Sequence, residues 1–206
     1  MVQVDLDPIA TPHDWSMHVN MRGPVTRAEY RAFCEANPDL RIERTAEGEL
    51  IVMAPANARS GNQNFRLAAQ LCNWALTDGT GVGFDSSSGF DLPNGSNRSP
   101  DLSWIRQSRL NALRAEQRLP YPQICPDFVL ELRSSSDRLS VLMAKMQEYI
   151  ECGAKLGWLI DPVERRVWVY RPSEKVEALD EPLTLEAGPM MPGFVLDLDP
   201  IWNPQI

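Results

Sequence analysis

Histidine is scarce in this 206-residue chain, and its scarcity excludes several kinds of active site. The two histidines, His13 and His18, lie in an N-terminal stretch without regular periodicity. A Ser-His-Asp triad or a His-rich zinc site is therefore not expected. The four cysteines are widely spaced and include no C-x-x-C pair, which indicates reduced core cysteines rather than a disulfide framework or a thiolate metal site.

Long apolar runs are also missing. No stretch reaches the length of a membrane span, and Met1 to Pro12 lacks the basic start and apolar run of a signal peptide. We therefore expect a cytoplasmic protein with no membrane partner. With 43% hydrophobic and 23% charged residues, the chain is long enough for one substantial core. We predict a single domain over residues 1–206, with an N-terminal extension at 1–25 and the folded part at 26–206.

An excess of positive charge is lacking as well. The net charge of −8 argues against a protein that coats nucleic acid indiscriminately, because such binding depends on Lys and Arg releasing counterions from phosphates. The charge is uneven, however. Between Arg98 and Arg171 the chain has 12 basic and 9 acidic residues, a local charge of +3. This middle part could therefore face phosphates.

The periodicity of apolar residues predicts helices and strands in alternation. Thr26 and Glu29 form a capping-box pattern that begins a helix running through Cys34. Two further helices are predicted at Asn64–Leu76 and at Asp137–Cys152, the second capped by Ser136. A hairpin is predicted from the strands Arg41–Arg44 and Glu49–Met53, and strands or a bent hairpin at Gly83–Leu92. Further strands are predicted at Leu102–Ile105, Phe128–Leu132, Leu156–Ile160 and Val167–Tyr170. This order predicts the mixed α/β class, a central mixed sheet flanked by helices.

Two carboxylates stand at the ends of predicted strands. Asp101 begins one strand, and Glu131 lies near the end of an otherwise apolar strand, where an unpaired carboxylate would be costly. Neighbouring strands would bring the two together. Paired carboxylates suit Mg²⁺, a hard ion that takes one or two protein oxygens and keeps room for water and a substrate phosphate. We therefore predict a Mg²⁺ site, with Mn²⁺ as a substitute.

Two basic residues follow these carboxylates. Arg133 comes two residues after Glu131 and would share its face, where it could clamp a phosphate. Lys145 lies at the edge of the apolar stripe of the next helix, from which it could orient water or stabilise phosphate charge. Each has a structural alternative. Arg133 could pair with Asp137, and Lys145 could be a solvated helix lysine.

The ordered series of these motifs resembles the Uma-two family of bacterial "putative restriction endonucleases", from about Arg41 to Val195. The motifs that carry the resemblance are Arg98-Ser-Pro-Asp101-Leu-Ser-Trp104, Pro126-Asp-Phe-Val-Leu-Glu131-Leu-Arg133, Lys145-Met-Gln-Glu-Tyr149 and Gly157-Trp-Leu-Ile-Asp161-Pro162.

This resemblance implies the restriction-endonuclease-like fold of the PD-(D/E)XK nuclease superfamily. It implies that Asp101 and Glu131 bind metal, that Lys145 is the catalytic lysine displaced onto a helix, and that Glu43 is an accessory carboxylate. Asn62 or Gln63 stands where relatives carry an ionisable residue. The chain departs from the family in having Arg133 at the usual lysine position and Ser135 where proline is common.

The predicted function is that of a Mg²⁺-dependent endonuclease that hydrolyses DNA phosphodiester bonds. The alternative is a catalytically inactive DNA-binding or protein-interaction module that retains the fold, since fold does not fix function. A third hypothesis is a structural homodimer, assembled through a sheet edge or the hairpin that carries Trp168. The aromatic residues Trp158, Trp168 and Tyr170 could stack on bases, although packing in the core is the commoner use of such residues.

Overall fold

The structure, a computed structural model, describes residues 17–19 and 23–206. The α-helices of this part are α1 (Arg27–Ala36), α2 (Ala58–Asp78), α3 (Gln107–Ala112), α4 (Leu139–Glu151) and α5 (Asp199–Trp202). The strands are β1 (Met17–Val19), β2 (Arg41–Arg44), β3 (Leu50–Met53), β4 (Gly81–Asp85), β5 (Phe90–Asp91), β6 (Asn97–Arg98), β7 (Leu102–Arg106), β8 (Phe128–Leu132), β9 (Leu156–Asp161), β10 (Arg166–Tyr170), β11 (Glu177–Asp180), β12 (Thr184–Glu186) and β13 (Val195–Asp197).

The strands form two larger sheets and one small one. A five-stranded sheet has the order β1-β3-β2-β6-β5, a six-stranded sheet has the order β11-β10-β9-β8-β7-β4, and β12 pairs with β13. In the six-stranded sheet β8 and β9 run parallel, while the other neighbours are antiparallel. Helix α4 supplies the crossover that a parallel pair needs. The predicted mixed sheet with flanking helices is thus confirmed.

Two apolar cores lie on opposite faces of the six-stranded sheet. Phe128 and Leu130 of β8 join a cluster that includes Leu67 of α2. Val129, which alternates with them, joins a second cluster that includes Met146 of α4. Because side chains alternate along a strand, Glu131 lies on the same face as Val129, toward α4.

Several local predictions are confirmed. The Glu29 amide donates to the Thr26 hydroxyl, and the Thr26 amide donates to the Glu29 carboxylate at 2.8 Å, so α1 begins with a capping box. Strands β2 and β3 pair as the predicted hairpin. Trp158, Trp168 and Tyr170 are buried in the cores, which confirms the packing interpretation for these aromatic residues.

Two helix starts differ from the prediction. Helix α2 begins at Ala58 with Asn57 as its N-cap, six residues earlier than expected, because its first turns carry small and polar residues that give no apolar periodicity. The predicted cap of α4 by Ser136 is wrong. That helix begins at Leu139, and the Ser136 hydroxyl lies 2.8 Å from the hydroxyl of Ser134.

The predicted N-terminal extension, residues 1–25, is only partly described. His13 and the other residues of 1–16 and 20–22 lie outside the described residues. Met17–Val19, for which irregular structure was expected, instead pairs antiparallel with β3. The single-domain division stays a prediction. Within the described residues, every helix is too short or too polar to cross a membrane.

Candidate active site

A cleft of about 480 Å³ opens at one end of the six-stranded sheet, where β7 and β8 meet helices α2 and α4. Its polar lining includes the side chains of Asn64, Asp101, Glu131, Asp137 and Lys145. Three of these, Asp101, Glu131 and Lys145, are the residues for which chemistry was predicted. The structure therefore brings them to one place from three elements.

Strand register places the two carboxylates opposite each other. Leu102 of β7 pairs antiparallel with Leu130 of β8, so one step further along the pair Asp101 faces Glu131. Asp101 is fixed there because its Oδ2 accepts the Leu132 amide at 2.8 Å, while Asn64 Nδ2 lies 3.4 Å from Oδ1. Side chains directly opposite in an antiparallel pair are near neighbours. The two acidic groups therefore share one end of the cleft.

Lys145 bridges two carboxylates rather than pointing into solvent. Its Nζ lies 2.9 Å from Oε1 of Glu131 and 2.9 Å from Oε1 of Glu43 in β2. One turn later in α4, the Tyr149 hydroxyl donates to the same Glu131 oxygen at 3.0 Å. Residues four apart lie on one face of a helix, so α4 presents both groups to β8 together. The solvated-lysine alternative is thereby excluded.

Glu43 is held by several donors. Besides Lys145, its carboxylate accepts the Ser99 amide at 2.8 Å and pairs with Arg98 Nη1 at 3.1 Å. Arg98 in turn pairs with Glu148 of α4 at 2.7 Å. Acidic and basic side chains therefore alternate in a largely buried network, in the order Glu148, Arg98, Glu43, Lys145 and Glu131.

Burial and charge shift the pKa values of these groups in different directions. Burial raises the pKa of Glu131 to about 7, and the neighbouring Asp101 and Glu43 add to the rise, while Lys145 opposes it. Burial likewise raises the pKa of Asp101. For Glu43, burial is outweighed by Lys145 and Arg98, so its pKa is lowered. Burial would lower the pKa of Lys145, but Glu131 and Glu43 raise it, so the ammonium stays protonated.

Arg133 is not part of this cluster. Its Nη1 lies 2.5 Å from Oδ2 of Asp161 at the end of β9, and its Nε donates to the backbone carbonyl of Asp137 at 3.2 Å. It lines a neighbouring cleft rather than the one that contains Glu131. Strand β8 ends at Leu132. The alternation of side chains along a strand, which predicted that Arg133 shares the face of Glu131, therefore does not extend to Arg133.

Several site residues were missed by sequence reasoning. Asn64, and neither Asn62 nor Gln63, contacts Asp101; Gln63 donates instead to the Ile201 carbonyl at 2.8 Å. Arg98 and Tyr149 lie within the family motifs but were given no role. Tyr149 stands four residues after Lys145, and that spacing was the available signal.

The site fits a divalent cation with few protein ligands. Among residues 23–206, no group of three or more His, Cys, Asp and Glu side chains is arranged to hold a metal ion. Asp101 and Glu131 form a pair, and Mg²⁺ commonly takes only one or two carboxylates. A further observation favours a cation: the buried Oδ1 of Asn64, whose Nδ2 lies 3.4 Å from Asp101, has no hydrogen-bond partner.

Comparison with known proteins supports a nuclease relationship. The model of the Uma2 family, described as "Putative restriction endonuclease", matches residues 27–199. The chain is also similar to the crystal structure of "a putative nuclease belonging to DUF820" from Anabaena variabilis, with a TM-score of 0.74 and 21% sequence identity. That match covers 87% of this chain and 98% of the other. It shows the restriction-endonuclease-like fold. No curated protein matches the sequence.

Proposed function

Because this chain belongs to the Uma2 family of restriction-endonuclease-like proteins, we propose that it is a divalent-metal-dependent endonuclease that hydrolyses DNA phosphodiester bonds. One observation carries the proposal. Lys145 Nζ lies 2.9 Å from Glu131, in a cleft that Asp101 shares. A protonated amine can stabilise the charge that develops on a phosphate, and two nearby carboxylates can hold a metal ion. As predicted from the sequence, we place this activity in the cytoplasm.

In this proposal Asp101 and Glu131 hold Mg²⁺, with Mn²⁺ as a substitute. The bound ion would polarise the phosphate and lower the pKa of a water molecule. The Leu132 amide orients Asp101, and the Tyr149 hydroxyl orients Glu131. Each carboxylate therefore has one oxygen fixed by the protein, which limits its rotation.

Lys145 acts as a donor in the proposed mechanism. Its raised pKa means that Nζ keeps its proton at neutral pH, so it cannot serve as a general base. It can donate to a phosphate oxygen or orient the attacking water. Glu43 positions this ammonium at 2.9 Å, and its role as a third metal ligand stays a prediction. Arg133 remains the proposed phosphate-binding residue, acting from the neighbouring cleft.

Calorimetry and cleavage assays on the same preparations test this function. Mg²⁺ and Mn²⁺ are titrated into the wild type, Glu131→Gln and Asp101→Asn, and each protein is assayed on linear, nicked and branched DNA. We expect both variants to lose metal binding and cleavage together. Asp180→Asn is the matched control, since its carboxylate is 72% exposed, lies in the edge strand β11 and pairs with the exposed Arg166 of β10. A wild type that binds neither ion and cuts none of the substrates would overturn the proposal.

The alternative function is separated by the same experiment. A wild type that binds metal and DNA but leaves every substrate intact would favour a catalytically inactive DNA-binding or protein-interaction module. In that case Arg133, at the position where relatives carry lysine, would be the first residue to substitute. If Arg133→Lys gains cleavage activity, the arginine at this position is the cause of the inactivity.

We also propose that the protein forms a homodimer, and that α2 forms the contact. Phe65, Cys72 and Leu76 are exposed on one face of α2 at the spacing of a helix-packing seam, and Phe65 and Leu76 are 74% and 79% exposed. Trp168, suggested earlier for this contact, is buried.

Light scattering after size-exclusion chromatography measures the dimer. Phe65→Asp should give a monomer that still folds, because the side chain is 74% exposed and lies outside the buried cores. Val141→Asp, at a 56% exposed position of α4, is the control and should keep the mass of the wild type. A wild type that elutes as a monomer at all concentrations would contradict the homodimer.

A further inference from the structure

A second cleft, of about 540 Å³, lies directly beside the candidate active site. The two clefts share Asn57 and Ser60 on one wall and Ser134 and Ser135 on the other. We call this second space the arginine cleft, after Arg59, Arg133 and Arg165, which line it. A strand of ligand that occupies one cleft could continue into the other across Ser135.

The two clefts differ in charge. Asp101, Glu131 and Asp137 line the first cleft together with the cations Arg41 and Lys145, whereas the lining of the arginine cleft, within the described residues, has three guanidinium groups and no carboxylate. Such a concentration of positive charge is unexpected in a chain with a net charge of −8. Clefts lined by charge of one sign attract ligands of the opposite sign.

The arginines have few acidic partners of their own. Arg165 Nη2 donates to the neutral Oδ1 of Asn203 at 2.7 Å, which orients its guanidinium without neutralising it. Arg133 pairs with the buried Asp161, and that contact fixes one edge of its fork. Arg59 is exposed in the first turn of α2. Guanidinium groups held in this way suit phosphate oxygens, which accept from planar, forked donors.

The wall shared by the clefts favours an anion as well. Helix α2 begins there, runs for 21 residues and has no acidic residue in its first turn. The amino end of a helix carries partial positive charge and attracts phosphate groups. This effect adds to that of the three arginines at the point where the two clefts meet.

We propose that the arginine cleft binds the phosphate backbone of DNA on one side of the scissile phosphate. The inference rests on the proposed function, since it takes the first cleft as the place of hydrolysis. It adds Arg59 and Arg165 as positioning residues that no motif indicated. Their role is to hold the DNA strand in position while the carboxylates and Lys145 act on the neighbouring phosphate.

Fluorescence anisotropy with a labelled DNA duplex measures this contact, in EDTA and with Ca²⁺ in place of Mg²⁺. The variants are Arg59→Ala, Arg165→Ala and the two together. Each single change should weaken binding several-fold and reduce the slope of log K against log salt concentration by roughly 1, as expected for the loss of one phosphate contact. The double variant should show both effects in larger measure. Arg114→Ala is the control, because its side chain is 72% exposed and lies outside both clefts.

The outcomes separate this inference from the proposed function. If the wild type neither binds nor cuts DNA, the proposed function itself fails. If the wild type binds and cuts DNA while the double variant matches Arg114→Ala in affinity and salt slope, the arginine cleft is not the backbone site and the inference is overturned. Tighter binding to a labelled RNA of the same sequence would overturn the assignment to DNA. Unchanged Mg²⁺ binding by the double variant, measured by calorimetry, shows that its first cleft is intact.

Discussion

Glu131 and Lys145 are charged groups in a buried environment, where an unpaired charge destabilises the folded state. Their ion pair offsets this destabilisation for both. The Lys145 side chain is 12% exposed and that of Glu131 is 6% exposed. Breaking such a pair leaves one charge without its partner, which costs more than the intact pair contributes to stability. This pairing fixes how each residue responds to substitution and to pH.

Lys145→Met should destabilise the protein at pH 8 by about 3 kcal/mol or more, because it leaves Glu43 and Glu131 without their shared cation. The loss of stability should be smaller at pH 5 than at pH 8, because Glu131 is more readily protonated at pH 5. A protonated Glu131 carries no charge that Lys145 would have to neutralise. Urea unfolding at the two pH values measures the difference. Lys155→Met, at an exposed position, is the control and should change stability little at either pH. Equal losses at both pH values for Lys145→Met would contradict the pairing.

Glu131 should make the stability of the metal-free protein depend on pH. Its pKa is raised to about 7 in the folded state from an unfolded value of 4.5, so between these values the folded protein binds more protons than the unfolded chain. The free energy of unfolding should therefore fall as pH rises from about 4.5 to about 7, through the contribution of this group. Glu131→Gln removes that contribution, so the stability of the variant should fall less over the same range. A steeper fall in the variant than in the wild type would show that the pKa is not raised.

The elements of this fold position the site through strand register and helix spacing. Antiparallel pairing of β7 and β8 sets Asp101 against Glu131, and the crossover helix α4 returns across the same face. Strand β4 closes one edge of this sheet, where Gly81 lies against Trp104 of β7.

Gly81→Ala tests the packing of that edge. A Cβ at this position would lie 2.3 Å from Cζ2 of Trp104 and 2.4 Å from the Ile105 carbonyl oxygen, so strand or side chain must shift. We expect a loss of about 1 to 3 kcal/mol, typical of overpacking. Gly83→Ala in the same strand is the control, since its nearest neighbours would stand at ordinary contact, 3.8 Å or more. Equal unfolding midpoints for the two variants in urea would contradict the close contact.

Elements with strong periodicity could be predicted from the sequence, and residues that depend on tertiary contacts could not. The strand Phe128–Leu132 is apolar apart from Glu131, so both the strand and its unusual carboxylate were evident. The amino-terminal turns of α2 carry Arg59, Ser60 and Gly61, which give no apolar periodicity, and the Asn57 side chain caps them. Arg133 was expected beside Glu131, but the end of β8 and the buried Asp161 take its side chain elsewhere. Neither the strand end nor the partner is visible in local sequence.

The whole molecule should respond to the metal. A ligand that binds only the folded state stabilises it in proportion to the logarithm of its concentration, by about 2.7 kcal/mol at 100 times Kd. For a chain of this length we expect Mg²⁺ at that excess to raise Tm by roughly 5 to 10 °C. Asp101→Asn should abolish this shift, and NaCl at matched ionic strength should not reproduce it. An equal shift in wild type and variant would place the ion elsewhere on the acidic surface.

The residues of the candidate site come from both large sheets. Glu43 and Arg98 belong to the five-stranded sheet, whereas Glu131 and Lys145 belong to the six-stranded sheet and its crossover helix. During synthesis Glu43 leaves the ribosome about a hundred residues ahead of Lys145, one of the two cations that pair with it. The nascent chain therefore has no assembled site until α4 has been made and packed. Any hydrolytic activity begins only in the folded protein, and a chain truncated before α4 carries the carboxylates without the cation that organises them.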